Sequence, residues 1–137
     1  MSKYYIDSNI FFYARIMDKR YGELCSKILR GIFRGEIEAV TSVLTLIEVV
    51  NVLRKYGVSR EEVRNSIDAM LSLNMEIYEI DRIDIAEAIR ISEEFDISPY
   101  DAVHVAIMKK ADVTRIVSAD KDFDRVTSIE RIDPEDF

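Results

Sequence analysis

Apolar residues recur along this chain with two periods, and the alternation between those periods outlines its elements. Lys3-Tyr4-Tyr5-Ile6 is a short β-prone run that stops at Asp7, and a helical pattern begins at Ser8. From Tyr21 to Arg34 apolar residues such as Leu24, Ile28 and Phe33 keep to helical spacing, and Gly35 ends the run. Ile37 to Val40 reads as a strand. Thr41 or Ser42 then caps a helix reaching about Lys55, with Gly57 just beyond it. Ser59-Arg60-Glu61-Glu62 has the spacing of a capping box and opens a helix to about Leu73. Met75 to Ile80 alternates like a strand, and Asp81 caps a helix running towards Phe95. Ser98-Pro99-Tyr100-Asp101 starts another, with Ser at the cap and Pro in the first turn, ending near Lys110. Thr114 to Ser118 is a strong strand, followed by an acidic turn and a short strand around Ile129 to Ile132. Strands that alternate with helices predict an α/β layered fold, and connections of this length suit a mostly parallel central sheet.

Composition narrows the class. A length of 137 residues suits one domain, and 48% hydrophobic with 33% charged residues is ordinary for a soluble globular chain. The lone Cys25 has no internal disulfide partner and reads as a reduced, partly buried thiol. No leader-like segment precedes the first strand, and no apolar run approaches the roughly 18 residues a bilayer demands. A cytoplasmic protein without a membrane association is expected. With 26 acidic against 19 basic residues the net charge is -7, which opposes nucleic-acid binding unless metal masks the carboxylates.

Chemistry in an open parallel sheet sits beyond the carboxyl ends of the strands, near a reversal of strand order. Asp7 directly follows the first strand, and Asp120 follows Thr114–Ser118 with Asp122 and Asp124 close behind. Glu48 and Asp101 lie in early helical turns that could face the same crevice. Each has an ordinary reading: Asp7 and Asp101 as helix-start residues, Asp120, Asp122 and Asp124 as solvated turn residues. Glu48 fits such a reading least, because it stands among Leu44, Leu46, Ile47, Val49 and Val50, where an unpaired carboxylate is costly. Carboxylates about 4 Å apart repel by roughly 4 kcal/mol at an effective dielectric near 20, so a cluster calls for protonation or a cation. An all-oxygen donor set suits Mg²⁺ or Mn²⁺ and the hydrolysis of a phosphodiester.

The segments Tyr4-Tyr5-Ile6-Asp7-Ser8-Asn9-Ile10, Leu46-Ile47-Glu48-Val49, Pro99 to Ala106 (PYDAVHVA) and Val117 to Phe123 (VSADKDF) together resemble the PIN-domain family. Many small members of that family are VapC-type toxins of toxin–antitoxin modules. The resemblance spans essentially the whole chain in the family's order. It implies a single PIN-like nuclease domain over residues 1–137, built as a three-layer α/β/α sandwich. It also implies a Mg²⁺- or Mn²⁺-dependent endoribonuclease with the acidic quartet Asp7, Glu48, Asp101 and Asp120. Asn9 and Ser118 match supporting polar positions, and Asp122 and Asp124 are optional additions. Asp7, Asp101 and Asp120 would hold metal, while Glu48 would complete the site and orient the attacking water. The implied partners are RNA, a small antitoxin protein and a second copy of the chain in a homodimer.

His104, the one histidine, lies three residues after Asp101 and so on a neighbouring helical face. It reads as a residue packed against the sheet edge, or else as one that orients Asp101 or touches RNA. Arg15, Lys19 and Arg20 are candidates for a phosphate-gripping rim, or members of a solvated face. Apolar residues of Tyr21–Arg34 and Ser42–Lys55 are mainly core, with some left as a groove for a partner helix. Two other functions stay open. One is a PIN-like module that binds RNA or protein without cutting. The other is an aspartyl-phosphate phosphatase, because Asp7-Ser8-Asn9 also resembles the nucleophile loop of haloacid-dehalogenase-like enzymes. Those use a second Asp where Asn9 stands.

Overall fold

The computed structural model describes residues 3–137. Five short strands, β1 (Lys3–Ile6), β2 (Glu38–Ser42), β3 (Glu76–Tyr78), β4 (Arg115–Val117) and β5 (Glu130–Ile132), form one sheet in the order β3-β2-β1-β4-β5. All four pairings are parallel. The crossovers are made by α1 (Ser8–Ile16), α2 (Gly22–Phe33), α3 (Val43–Lys55), α4 (Arg60–Leu71), α5 (Arg82–Phe95) and α6 (Pro99–Lys110). The acidic turn is a short 3-10 helix over Lys121–Arg125, and a second one covers Pro134–Asp136.

Register explains the layers. Tyr5 pairs with Val40 on one side and Ile116 on the other, so all three side chains leave the sheet on the same face. There they pack with Ile91 of α5 and Ile107 of α6. Ile6, Ala39 and Val117 point the opposite way, onto Ile10, Ile28, Ile32 and Leu53 of α1 to α3. Two apolar cores on two faces make the three-layer α/β/α sandwich expected from the sequence. No helix among the described residues is long and apolar enough to cross a membrane.

Local signals hold at most boundaries. Ser59 and Ser98 accept the N–H three residues on, and Asp81 and Asp84 form a full reciprocal capping box. Gly35 and Gly57 take φ of 75° and 77° just past their helices, a region in which an L side chain is strained. The start of α3 departs from expectation. The second strand continues through Thr41 and Ser42, and Ser42 stands at the cap without its hydroxyl bonding the helix. That hydroxyl instead accepts from the Tyr5 phenol at 2.9 Å, across the sheet. The sandwich places β1 at its centre, and the connections diverge on either side of it. Such a reversal of direction leaves a crevice at the carboxyl ends of β1 and β4.

Candidate metal centre

Asp7 is the first residue beyond β1, and its N–H reaches the Val117 carbonyl at 3.2 Å, which ties it to the end of β4. Its two carboxylate oxygens do different work. Oδ1 caps α1 by accepting the Ser8 N–H at 2.8 Å. Oδ2 accepts the Ser118 hydroxyl at 2.6 Å and the Asn9 amide at 3.2 Å. Asn9 also donates to Ser118 Oγ and accepts the Ala119 N–H, while Ser118 Oγ accepts the Asp120 N–H. Oδ1 thus serves as the helix cap, while Oδ2 is turned to Ser118 and Asn9 at the end of β4. Only 5% of the residue is exposed. Burial raises its pKa above the ordinary carboxylate value, although the His104 charge and the Ser118 and Ser8 hydrogen bonds oppose the shift.

Glu48 projects from α3 towards Asp7, and His104 lies between them. His104 Nε2 donates to Glu48 Oε1 at 2.7 Å and stands 3.8 Å from Asp7 Oδ1. Its Nδ1 is 2.7 Å from the Tyr5 hydroxyl, whose own proton goes to Ser42. Burial alone would drive the imidazole neutral. Tyr5, the Glu48 hydrogen bond and the charges of Asp7 and Glu48 outweigh burial and lift its pKa well above the usual value. The histidine thus packs on the central strand and not on the sheet edge, and its partner is Glu48 and not Asp101. Sequence spacing from Asp101 could not show a bond to a residue 56 positions away. One signal was present: His104 is the one polar residue between Ala102 and Met108, and a histidine in a helix apolar on every side needs a polar partner.

Asp101, Asp120 and Asp122 form a second group, with one oxygen of each within 4.8 Å of the others. Asp120 caps the 3-10 turn through the Asp122 N–H. Asp101 takes only half of the expected capping box: its N–H bonds Ser98, without the reciprocal bond that Asp84 makes in α5. The Asp101 carboxyl is thereby left to the crevice. Burial first, then the charges of Asp120 and Asp7, push its pKa up to about 6. The two groups are close enough for Asp7 and His104 both to act on it.

Asp124 stands apart. It pairs with Arg131, which also donates to the Ser118 carbonyl at 3.0 Å and to Asp133 at 3.4 Å. Arg131 thus braces the turn that carries Ser118 and Asp120. Arg131→Ala is expected to destabilise the protein by about 1–3 kcal/mol, the usual cost of stranding hydrogen bonds to a charged, largely buried group. An unchanged thermal melt would show that the turn is held without it. Arg15 and Arg20, candidates for a phosphate rim, are engaged instead with Glu62 and Glu135.

Residues 4–129 match the PIN domain, a stretch that includes every acidic position of both groups. The chain belongs to the PIN domain family. Ribonuclease VapC13 of Mycobacterium tuberculosis is 28% identical over 129 residues, covering 93% of this chain and 97% of the relative. Among solved structures, the DNA-bound VapBC of Salmonella typhimurium superimposes with a TM-score of 0.73 at 18% identity, over 98% of this chain and 99% of the other. A Mycobacterium tuberculosis VapC described as a Sarcin-Ricin loop cleaving toxin gives 0.69 at 17% identity, over 90% and 93%. At such identities the two structural matches speak for the PIN fold alone.

Proposed function

We propose that this PIN domain, taken as one unit over residues 1–137, is a metal-dependent endoribonuclease and the toxin of a toxin–antitoxin pair in the cytoplasm. The observation that carries the reading is convergence. Carboxylates from four separate segments lie in two neighbouring groups, Asp7 with Glu48 and Asp101 with Asp120 and Asp122, and Asp7 is near enough to act on Asp101. Burial first, and then the charges of Asp120 and Asp7, raise the pKa of Asp101, and a divalent cation would offset both effects. The donors are mainly hard oxygens, which fits Mg²⁺ or Mn²⁺ better than a thiophilic metal. The likeness to named VapC ribonucleases supports RNA as the substrate.

In this reading Asp7, Asp101 and Asp120 hold the cation, and Asn9 and Ser118 fix the Asp7 carboxylate for that task. Glu48 completes the site and accepts a proton from the attacking water. A bound cation supplies an acidified water and offsets charge on a phosphate oxygen. An apolar groove of about 480 Å³, lined by Phe11, Leu29, Phe33, Val49 and Met70, offers a seat for the apolar face of an antitoxin helix. Arg30 at its border suits an acidic flank on that helix. A homodimer through other surfaces completes the proposed assembly.

The test is a mixed RNA pool incubated with purified protein and Mn²⁺, then with EDTA. Cleavage that requires the ion and is lost in Glu48→Gln supports the nuclease. A second reading, a PIN module that binds without cutting, draws on His104, whose charge already offsets part of the acidic cluster. Tight Mn²⁺ binding with intact RNA across the whole pool would favour it.

A further inference from the structure

We propose that His104 is a positioning residue for Glu48: its Nε2–H holds the Glu48 carboxylate in the crevice beside Asp7, and Tyr5 and Ser42 hold the imidazole in turn. The polar string runs Ser42 Oγ, Tyr5 OH, His104 Nδ1, His104 Nε2, Glu48 Oε1, with successive separations of 2.9, 2.7 and 2.7 Å between side chains. Tyr5 and Ser42 are fully buried and His104 is 1% exposed, whereas the Glu48 side chain is 25% exposed. Order is thus passed outward, from the packed face of the sheet to a group that meets solvent. The imidazole plane is set by edge-on packing against Tyr5 and Phe123. Nε2 therefore has one direction available, towards the carboxylates.

Glu48 needs such a partner and Asp7 does not. Asp7 has a short side chain and accepts from Ser8, Asn9 and Ser118. Glu48 has one more rotatable bond, and its hydrogen bond in the structure is the one from His104. Without it the carboxylate is free to swing out to water, since a long charged side chain gains rotamer entropy by doing so. Nε2 also stands 3.8 Å from Asp7 Oδ1, a charge contact and not a hydrogen bond, so the imidazole lies between the two carboxylates.

This role rests on the nuclease reading in one respect, that the acidic site completed by Glu48 takes a divalent cation. The experiment is calorimetric titration of apo protein with MnCl₂, for wild type, His104→Ala, His104→Gln, Tyr5→Phe, Glu48→Ala and the Glu48→Ala/His104→Ala pair. His104→Ala is expected to weaken Mn²⁺ binding by about 10–100-fold, the usual cost of removing a group that orients a ligand. His104→Gln, which keeps an N–H donor near the Nε2 position, recovers most of that loss. Tyr5→Phe, a nearly isosteric change, weakens binding less but in the same direction.

In the Glu48→Ala background, removal of His104 is expected to cost less than about twofold more, because its effect passes through Glu48. Equal losses in both backgrounds would overturn the proposal and leave His104 a packing residue. So would wild-type affinity in both His104→Gln and His104→Ala. Imidazole nitrogen coupling in the pulsed EPR spectrum of the Mn²⁺-loaded protein would overturn it differently, by making His104 a ligand. Wild-type protein that takes up no Mn²⁺ would bring down the nuclease reading and this role together.

Discussion

Asp7→Asn is expected to cut Mn²⁺-dependent RNA cleavage by more than about a hundredfold, in the range seen when one preorganised charge-stabilising group is removed, with little change in thermal stability. The two halves of that expectation come from the two oxygens of Asp7. Asn is as good a helix cap as Asp, so the bond from the Ser8 N–H survives the change. The amide nitrogen that replaces Oδ2 loses the bond from the Ser118 hydroxyl, whose oxygen already accepts from Asn9 and Asp120. Removing a charge that burial already disfavours offsets that loss and the poorer match to Asn9. What is lost is the negative charge that, under the proposed function, binds a cation where β1 and β4 end. Cleavage rates and melting curves on one preparation check both halves. Activity kept within tenfold would remove Asp7 from the centre of the site, and a collapsed melt would show that it serves mainly the fold.

Asp101→Asn should show effects of opposite sign. In wild type the folded-state pKa of Asp101 is about 6, above the ordinary carboxylate value of 3.8, so the folded protein binds the proton more tightly than the unfolded chain. Between those two values stability falls as pH rises, and above the upper one the full penalty of the charged form stands. Melts in EDTA should therefore find Asp101→Asn more stable than wild type at pH 7.5 and nearly equal to it at pH 4. The gap should open across the window between 3.8 and about 6. Metal reverses the ranking. Wild type should gain stability from added Mn²⁺ and the variant little, because binding stabilises only the state that binds. Below pH of about 6, protons compete for the same oxygens, and affinity in wild type should drop by up to about tenfold per unit. A variant less stable than wild type at pH 7.5 would mean that the Asp101 carboxylate is satisfied by its surroundings and needs no cation.

What the sequence makes legible follows from how far each signal reaches. Strand and helix periods, and caps such as Ser59, Asp81 and Ser98, act on neighbours three residues away and can be read directly. The acidic positions are visible because they stand at strand ends or in an apolar helix. Their division into an Asp7–Glu48 group with His104 and an Asp101–Asp120–Asp122 group is not, since it depends on side-chain direction across the crevice. Ser42 misleads for the same reason: it occupies a cap position, yet its hydroxyl serves Tyr5, 37 residues away. Asp124 looks equivalent to Asp122 along the chain, and only the arrival of Arg131 from β5 turns it aside.

The pairing of β1 with β4 also bears on when activity can arise. The bonds that fix Asp7 against Ser118 join residues 111 apart, while β1 and β2 can pair as soon as the first third of the chain exists. Contacts so distant in sequence form late, because their loops close at the greatest entropic cost. During synthesis, a ribosome-bound stretch ending before Thr114 already carries Asp7, Glu48 and Asp101, yet lacks β4, Ser118 and Asp120. Under the proposed function, a nuclease wired this way stays inert in the cell that is making it until about its last sixth is translated.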